Sequence, residues 1–364
     1  MIIFIYGTTA EAIKLAPIMT RLQERDIPFE QWVTFQHTDA LRTAMDELGL
    51  PPADRIIANG WRGRPLKRPV QMLGWMFGVF GWSLRHLHAL RRERRARREP
   101  TVVLVHGDTV TTVLGTVIGR LVGVPVGHVE AGLRSGHWRH PFPEEIDRRI
   151  VGRLASIHYA PGSDTAANLA GRANVIMTHG NTVKDAVRDK LPTQTDVPAD
   201  QGGRYGLVLL HRFEFISQPS LVRSTLEALE DATTADLRVV VDSYSRAAIE
   251  STIAEIGAQR MTIMPKLEHG AFVALLRGAD FVVTDSGGIQ EESAVFGIPT
   301  LIHRMATERS EGLGTSALLS RWDTATVRRF VADPSPWRTV DDVTESSPST
   351  IVVDDLVARG FAGV

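Results

Sequence analysis

Short unbroken apolar runs, each released into a glycine or polar turn and then into a helical pattern, recur along this chain. Ile2-Ile3-Phe4-Ile5-Tyr6 is the first, followed by Gly7-Thr8-Thr9 and by Ala12, Leu15, Ala16, Met19 and Leu22 at helical spacing. A strand that is apolar at consecutive positions is covered on both faces, as in a parallel sheet flanked by helices. Residues 32–35, 102–106, 125–129, 156–159 and 174–178 repeat the pattern, and a second series follows at 206–210, 237–241, 261–264, 281–284 and 299–302, with helical segments between. Residues 191–204 are rich in Pro, Thr, Asp and Gly without periodicity and mark a linker. The chain's 364 residues suit two domains of roughly 150 to 200 residues each. The expectation is an α/β fold of two doubly wound, Rossmann-like domains, 1–190 and 205–364, with the last helix able to pack back on the first. A central cleft would lie between the carboxyl ends of the two sheets, where open α/β sheets bind ligands.

Composition narrows the function classes. A net charge of −1 gives no global attraction to nucleic acid, and nucleic-acid binding is not expected. With no cysteine, disulfides, thiolate catalysis and cysteine-ligated metals are excluded. No G-x-G-x-x-G follows a strand and no spaced His/Asp set suggests a metal cage, so neither a redox cofactor nor a metal is expected. The first residues carry no basic segment or small-residue cleavage site and read as a strand, which points to a cytoplasmic protein. Residues 71–98 are unusual: Leu73, Trp75, Met76, Phe77, Val79, Phe80 and Trp82 precede Arg91-Arg92-Glu93-Arg94-Arg95-Ala96-Arg97-Arg98. The segment reads as a long helix packed in the core or at a subunit interface with a solvated arginine end. Weak contact with an anionic membrane surface is the other reading, since the stretch is too short to span a bilayer.

The chemistry-bearing residues fall at strand ends. Val282-Val283-Thr284-Asp285-Ser286-Gly287-Gly288-Ile289-Gln290-Glu291-Glu292 reads as a strand, a turn and a helix start. Free amides at such a helix end suit an anion, and Ser286, Gly287 and Gly288 let a phosphate approach the main chain, although the same stretch is compatible with a simple connecting turn. A carboxylate such as Glu292 would more plausibly face a ribose hydroxyl. Asp108 follows the strand 102–106, Glu130 follows 125–129, and Lys14 sits near the tip of the first strand. Pro143-Glu144-Glu145 opens a helix on which Glu144 and Arg148 share a face at i and i+4, an arrangement that by itself equally suits a surface salt bridge. His211-Arg212 close the strand 206–210. Carboxylates beside cations can divide acid and base roles, and Lys14, Arg148 and His211 can offset a diphosphate's charge. His106, His128 and His158 lie in strand contexts and read as packed side chains.

In order and spacing these motifs resemble the UDP-N-acetylglucosamine 2-epimerases of the bacterial, non-hydrolysing type, over nearly the whole chain. The matching residues are Gly7-Thr8 with Glu11 to Pro17, Gln36-His37, Val105 to Thr109, Gly127 to Arg134, Pro143-Glu144-Glu145, Gly180 to Val183, His211-Arg212, Thr284 to Glu292 and Thr307-Glu308-Arg309. The resemblance implies a GT-B-like fold, a homodimer, and a UDP-sugar held mainly by the second domain. It also implies a two-step reaction. Loss of the C2 proton with departure of UDP gives 2-acetamidoglucal, and re-addition on the other face gives the manno epimer. By position, Asp108, Glu130 and Glu144 would be the acid/base carboxylates, and Arg148 and His211 would stabilise the departing diphosphate. Lys14, Ser286, Gly287, Gly288 and Glu292 would hold UDP.

The chain also departs from that pattern. Gly7-Thr8-Thr9-Ala10-Glu11 lacks the arginine of the family's Gly-Thr-Arg-Pro-Glu, and His211-Arg212-Phe213-Glu214 lacks a second cation. Asp39 and Tyr244 stand where residues of a substrate-activator site are expected, so weak or absent activation by substrate follows. Three alternatives remain at this level: a hydrolysing 2-epimerase releasing UDP and free N-acetylmannosamine, a GT-B glycosyltransferase, and a catalytically silent UDP-sugar-binding protein.

Overall fold

The computed structural model describes residues 1–66, 68–97, 99–135, 143–189, 204–242, 244–340 and 346–362. The chain divides into two compact units, Met1–Ala186 with Glu345–Val364, and Val187–Thr344. The linker expected over 191–204 lies, apart from Arg204, outside the described residues.

The first unit is a parallel sheet of seven strands: β1 (Ile2–Tyr6), β2 (Phe29–Val33), β3 (Arg55–Ile56), β4 (Val102–His106), β5 (Val126–Val129), β6 (Ile157–Ala160) and β7 (Val175–Met177). Their order, β3-β2-β1-β4-β5-β6-β7, reverses direction between β1 and β4, which is the switch point where doubly wound sheets hold ligands. Strand alternation sends Ile2, Phe4 and Tyr6 to one face and Ile3 and Ile5 to the other. The first set packs with Leu15, Met19 and Val353, the second with Trp32, Trp75, Val79 and Val105, so β1 is buried at every position. The helix Thr9–Glu24 starts with a capping box in which Thr8 and Glu11 satisfy each other's backbone. The chain's last helix, Pro348–Ala358, lies with this unit and not with the second. Ser349 N donates to Asp185 Oδ2 (2.8 Å), and Tyr159 OH donates to Asp355 Oδ2 (2.9 Å).

The second unit repeats the plan with six strands: β8 (Tyr205–Leu209), β9 (Asp236–Val241), β10 (Met261–Pro265), β11 (Phe281–Thr284), β12 (Thr300–Ile302) and β13 (Ala317–Leu319). Their order, β10-β9-β8-β11-β12-β13, places the switch point between β8 and β11. Val208, Val239, Phe281, Val283 and Leu301 pack with Val222, Leu226, Phe330 and Val331 from the flanking helices. Both units are therefore parallel, doubly wound α/β sheets, the fold class read from the alternation.

Three elements differ from the sequence reading. β2 begins at Phe29 and ends at Val33 instead of running from 32 to 35. Phe35 has φ of 42° and cannot continue a strand, while Gln31, fully buried, breaks the apolar run because it accepts from Tyr6 OH (2.7 Å) and donates to Pro51 O (2.8 Å). β3 and β13 lie outside the apolar runs read as strands. β3, of two residues, is too short to show a period.

Candidate active site

At the carboxyl edge of the first sheet the turns after β4 and β5 lie side by side, since His106 pairs with Val129. Gly107 has φ of 69°, a conformation open to glycine, and turns the chain so that Asp108 leaves the strand axis. His128 holds this turn through Nε2 to Gly107 O at 2.7 Å. Burial pushes His128 down to about 4, so near neutral pH the ring is uncharged and donates through Nε2–H.

Glu130 has φ of 66° without being glycine, and this left-handed turn is a local strain. Its Oε2 accepts from Lys14 Nζ at 2.6 Å and from Asn181 Nδ2, and His106 Nε2 lies 3.6 Å away. Lys14, His106, Glu130 and Asn181 are all buried. A carboxylate and an ammonium this far from water are retained only as a pair with further hydrogen bonds, and that is what the cluster supplies. His106, read from sequence as a packed side chain, is thus packed against a charged group.

The helix Glu144–Leu154 brings its first turn to the same edge. Arg148, almost fully buried, donates Nη2 to Asp108 Oδ2 across the sequence. Asp147, unremarked in the sequence, is buried beside it, and its Oδ2 has no hydrogen-bond partner among the described residues. Burial first, then the charges of Asp108 and Glu144, push its carboxyl up to about 7, against an opposing pull from Arg148. A carboxyl titrating near neutrality can hold or release a proton at working pH, which suits an acid/base role. Glu145, fully buried, accepts from Ser135 N at 3.0 Å and Arg149 Nε at 2.8 Å, and so anchors the helix start to the loop after β5.

Glu11 ties these turns together. Its Oε2 accepts from the amides of Gly7 (2.9 Å) and Thr8 (2.8 Å), and its Oε1 from Thr109 Oγ1 at 2.7 Å. One buried carboxylate therefore fixes the turn after β1 against the turn that carries Asp108.

In the second unit the switch point carries a second cluster. Asp285 Oδ2 accepts the amides of His211 (2.9 Å) and Arg212 (2.8 Å), and Asp285 Oδ1 lies 3.1 Å from His211 Nδ1. Asp285 thereby orients His211 from the adjacent strand end, a role the sequence did not disclose. Ser286 is the N-cap of the helix Gly287–Val295 in extended conformation, and its side chain makes no cap bond. Gly287 and Gly288 follow, so the first-turn amides have no side-chain acceptor from Ser286, the condition for an anion site at a helix end. Glu291 pairs with Arg309 Nη1 at 2.9 Å, and Glu292 Oε1 lies 3.1 Å from His269 Nε2. Two departures noted in the sequence meet here: Phe213 and Tyr244, both exposed, place their rings 6.4 Å apart.

The structure thus gathers Lys14 with Glu130 and Asp108 with Arg148, sets Asp147 in the fields of Asp108 and Glu144, and sets His211 beside the Ser286-Gly287-Gly288 turn. Glu144 and Arg148 share a helix face, and from it Arg148 reaches Asp108. Among the described residues no group of three or more His, Asp or Glu is placed to hold a metal ion. No helix among them is long and apolar enough to cross a membrane.

Comparison with known proteins converges on one group. The sequence model of the family described as UDP-N-acetylglucosamine 2-epimerase matches residues 87–328. A UDP-N-acetylglucosamine 2-epimerase of Salmonella typhimurium is 32% identical, covering 93% of this chain and 92% of its own. One of Bacillus subtilis is 29% identical, over 97% and 94%. The crystal structure of UDP-GlcNAc 2-epimerase from Neisseria meningitidis bound to UDP-GlcNAc superposes with a TM-score of 0.80 at 26% identity, covering 98% of this chain and 99% of that one. This chain belongs to the UDP-N-acetylglucosamine 2-epimerase family.

Proposed function

We propose that this protein interconverts UDP-N-acetylglucosamine and UDP-N-acetylmannosamine without releasing free sugar, by eliminating the C2 proton and UDP to give 2-acetamidoglucal and then adding UDP back at C1 and a proton to the opposite face of C2. The observation that carries this reading is the buried set at the carboxyl edge of the first sheet, in which Glu130 is held by Lys14 and Asn181, and Asp108 by Arg148. A proton at C2 of a sugar is not acidic, so its removal must be coupled to departure of the leaving group, which positioned charges assist. Asp108, Glu130, Glu144 and Asp147 supply several carboxyl groups in unlike surroundings, as proton removal on one face and delivery on the other demand. Arg148 and Lys14 supply cations to balance the charge that develops on the leaving diphosphate.

On the second unit, the Ser286-Gly287-Gly288 turn offers its amides to the phosphates. His211, oriented by Asp285, adds a donor beside them. Glu292 is assigned to the ribose. The chemistry uses no redox step, because elimination and addition leave the sugar's oxidation level unchanged.

Phosphorus NMR of the protein incubated with UDP-N-acetylglucosamine tests the reading. Retention of the diphosphodiester signals with appearance of a second UDP-N-acetylhexosamine is the expected result. Accumulation of UDP would replace it with the hydrolysing reaction, and an unchanged spectrum would leave only binding.

A further inference from the structure

The helix Gly287–Val295, whose first turn is assigned to the phosphates, spends Gln290, Glu291 and Ser293 on the protein itself. Gln290 Nε2 donates to Arg309 O at 3.1 Å and to Glu311 O at 2.9 Å, Glu291 accepts from Arg309, and Ser293 Oγ donates to Ile289 O at 2.7 Å. Glu292 differs. Its Oε1 lies 3.1 Å from His269 Nε2, and its Oε2 has no hydrogen-bond partner among the described residues. Side chains on a helix lean toward its amino end, so the carboxylate of Glu292 is set back toward the Ser286-Gly287-Gly288 turn. Glu292 stands five positions past Gly287, about 7.5 Å along the axis, a step that a nucleoside diphosphate spans between phosphate and ribose.

His269 holds that carboxylate from outside the helix. It is the first residue of the helix His269–Arg277, which follows β10, and the side chains of His269 and Glu292 are only 12% and 10% exposed. Its Nδ1 is buried without a hydrogen-bond partner among the described residues, whereas Nε2 faces an acceptor. The ring proton therefore belongs on Nε2, which donates to Glu292 Oε1. A glutamate left to itself samples several rotamers, and holding it still before the ligand arrives removes an ordering cost from binding. With Oε1 engaged by the ring, Oε2 is the oxygen left to receive a ligand hydroxyl.

We propose, resting on the assignment of Glu292 to the ribose, that His269 is a positioning residue for ribose recognition. By donating to Oε1 it presets Glu292 so that Oε2 accepts a ribose hydroxyl, and it thereby makes the site select ribonucleotides over deoxyribonucleotides.

The test is titration calorimetry of the full chain with UDP, 2′-deoxy-UDP and 3′-deoxy-UDP. The parent should bind UDP roughly 10- to 150-fold more tightly than the analogue that lacks the bonded hydroxyl, the worth of one hydrogen bond to a charged group. Glu292→Ala should erase that preference. In His269→Phe, which keeps a ring without the donor, the preference and the affinity for UDP should both fall roughly 2- to 12-fold, while affinity for that analogue holds. His269→Gln returns an amide donor and should restore most of both. With UDP-N-acetylglucosamine as substrate, His269→Phe should raise KM and keep kcat, the mark of lost uniform binding. His269→Ala carries the same expectations, and thermal unfolding identifies which of the two variants keeps the parent fold.

Full preference retained in the His269 variants, with Glu292→Ala erasing it, overturns the role of His269 and leaves the ribose assignment standing. Equal weakening of all three nucleotides in those variants overturns it too, because the pair is then only a tie between two helices. A parent that binds UDP and both analogues alike, or a preference that survives Glu292→Ala, removes Glu292 from the ribose and the proposal with it.

Discussion

Lys14→Met removes a buried charge while keeping most of the side-chain volume, and it isolates the worth of the Lys14–Glu130 pair. The Lys14 and Glu130 side chains are 8% and 1% exposed, with Nζ and Oε2 2.6 Å apart. Breaking such a pair on one side leaves an uncompensated ion and costs about 3–5 kcal/mol. Asn181 still donates to Glu130 in the variant, which places the loss toward the lower end. In a unit of this size each kcal/mol moves the midpoint by roughly 2–4 °C, so calorimetry should show the first unit melting roughly 6–20 °C lower. Glu130→Gln in the Lys14→Met background removes the stranded charge, and the double variant should recover about 2–3 kcal/mol relative to the sum of the two single changes. A Lys14→Met loss below about 1 kcal/mol, the range of exposed pairs, would refute the reasoning, as would additivity of the two changes. The pair would then be solvated and could not act as a preorganised charge.

Three other perturbations follow from the same geometry. Asp147 has its folded value raised to about 7 from 3.8, so between those limits the folded state holds a proton that the unfolded chain has lost, and stability falls as pH rises through that window. Asp147→Asn should therefore match the parent near pH 4 and exceed it above about pH 7 in thermal scans, and parallel curves would exclude the perturbed carboxyl. His128 has the opposite sign. Its folded value is lowered from 6.5 to about 4, so stability is lost as pH falls through that interval, and His128→Gln should flatten this acid slope in the same scans. Asp285→Ala leaves the amides of His211 and Arg212 without their acceptor at a cost of about 1–3 kcal/mol each, so the second unit should melt lower. Loss of His211's orientation should also lower kcat/KM for the UDP-sugar, and an unchanged value would remove His211 from the site.

What could be read from the chain depended on what each residue reports locally. β1 and β4 were legible because strands buried on both faces are written as uninterrupted apolar runs. β2 was displaced because Gln31 is buried yet polar, and its satisfaction by Tyr6 and Pro51 depends on residues far along the chain. The strand-end positions of Asp108, Glu130 and His211 were visible, since a strand followed by a turn fixes where its last side chain emerges. Their partners were not. Arg148 reads by spacing as a mate of Glu144, and only the fold carries it to Asp108. Asp147 drew no notice in the sequence, because its perturbed proton arises from burial among neighbours. Asp285 reads as a turn residue, while its grip on β8's exit depends on two strands being adjacent. Glu11 stood out only as part of a matching run, and its capping box and its bond to Thr109 emerge from the fold.

The most direct test of the central claim is the fate of the sugar's C2 proton. In heavy water with UDP-N-acetylglucosamine as substrate, deuterium is expected at C2 of both epimers, with UDP-N-acetylmannosamine formed and no accumulation of free N-acetylmannosamine. Epimer formed with its C2 proton retained, or a sugar nucleotide recovered without exchange, would contradict it.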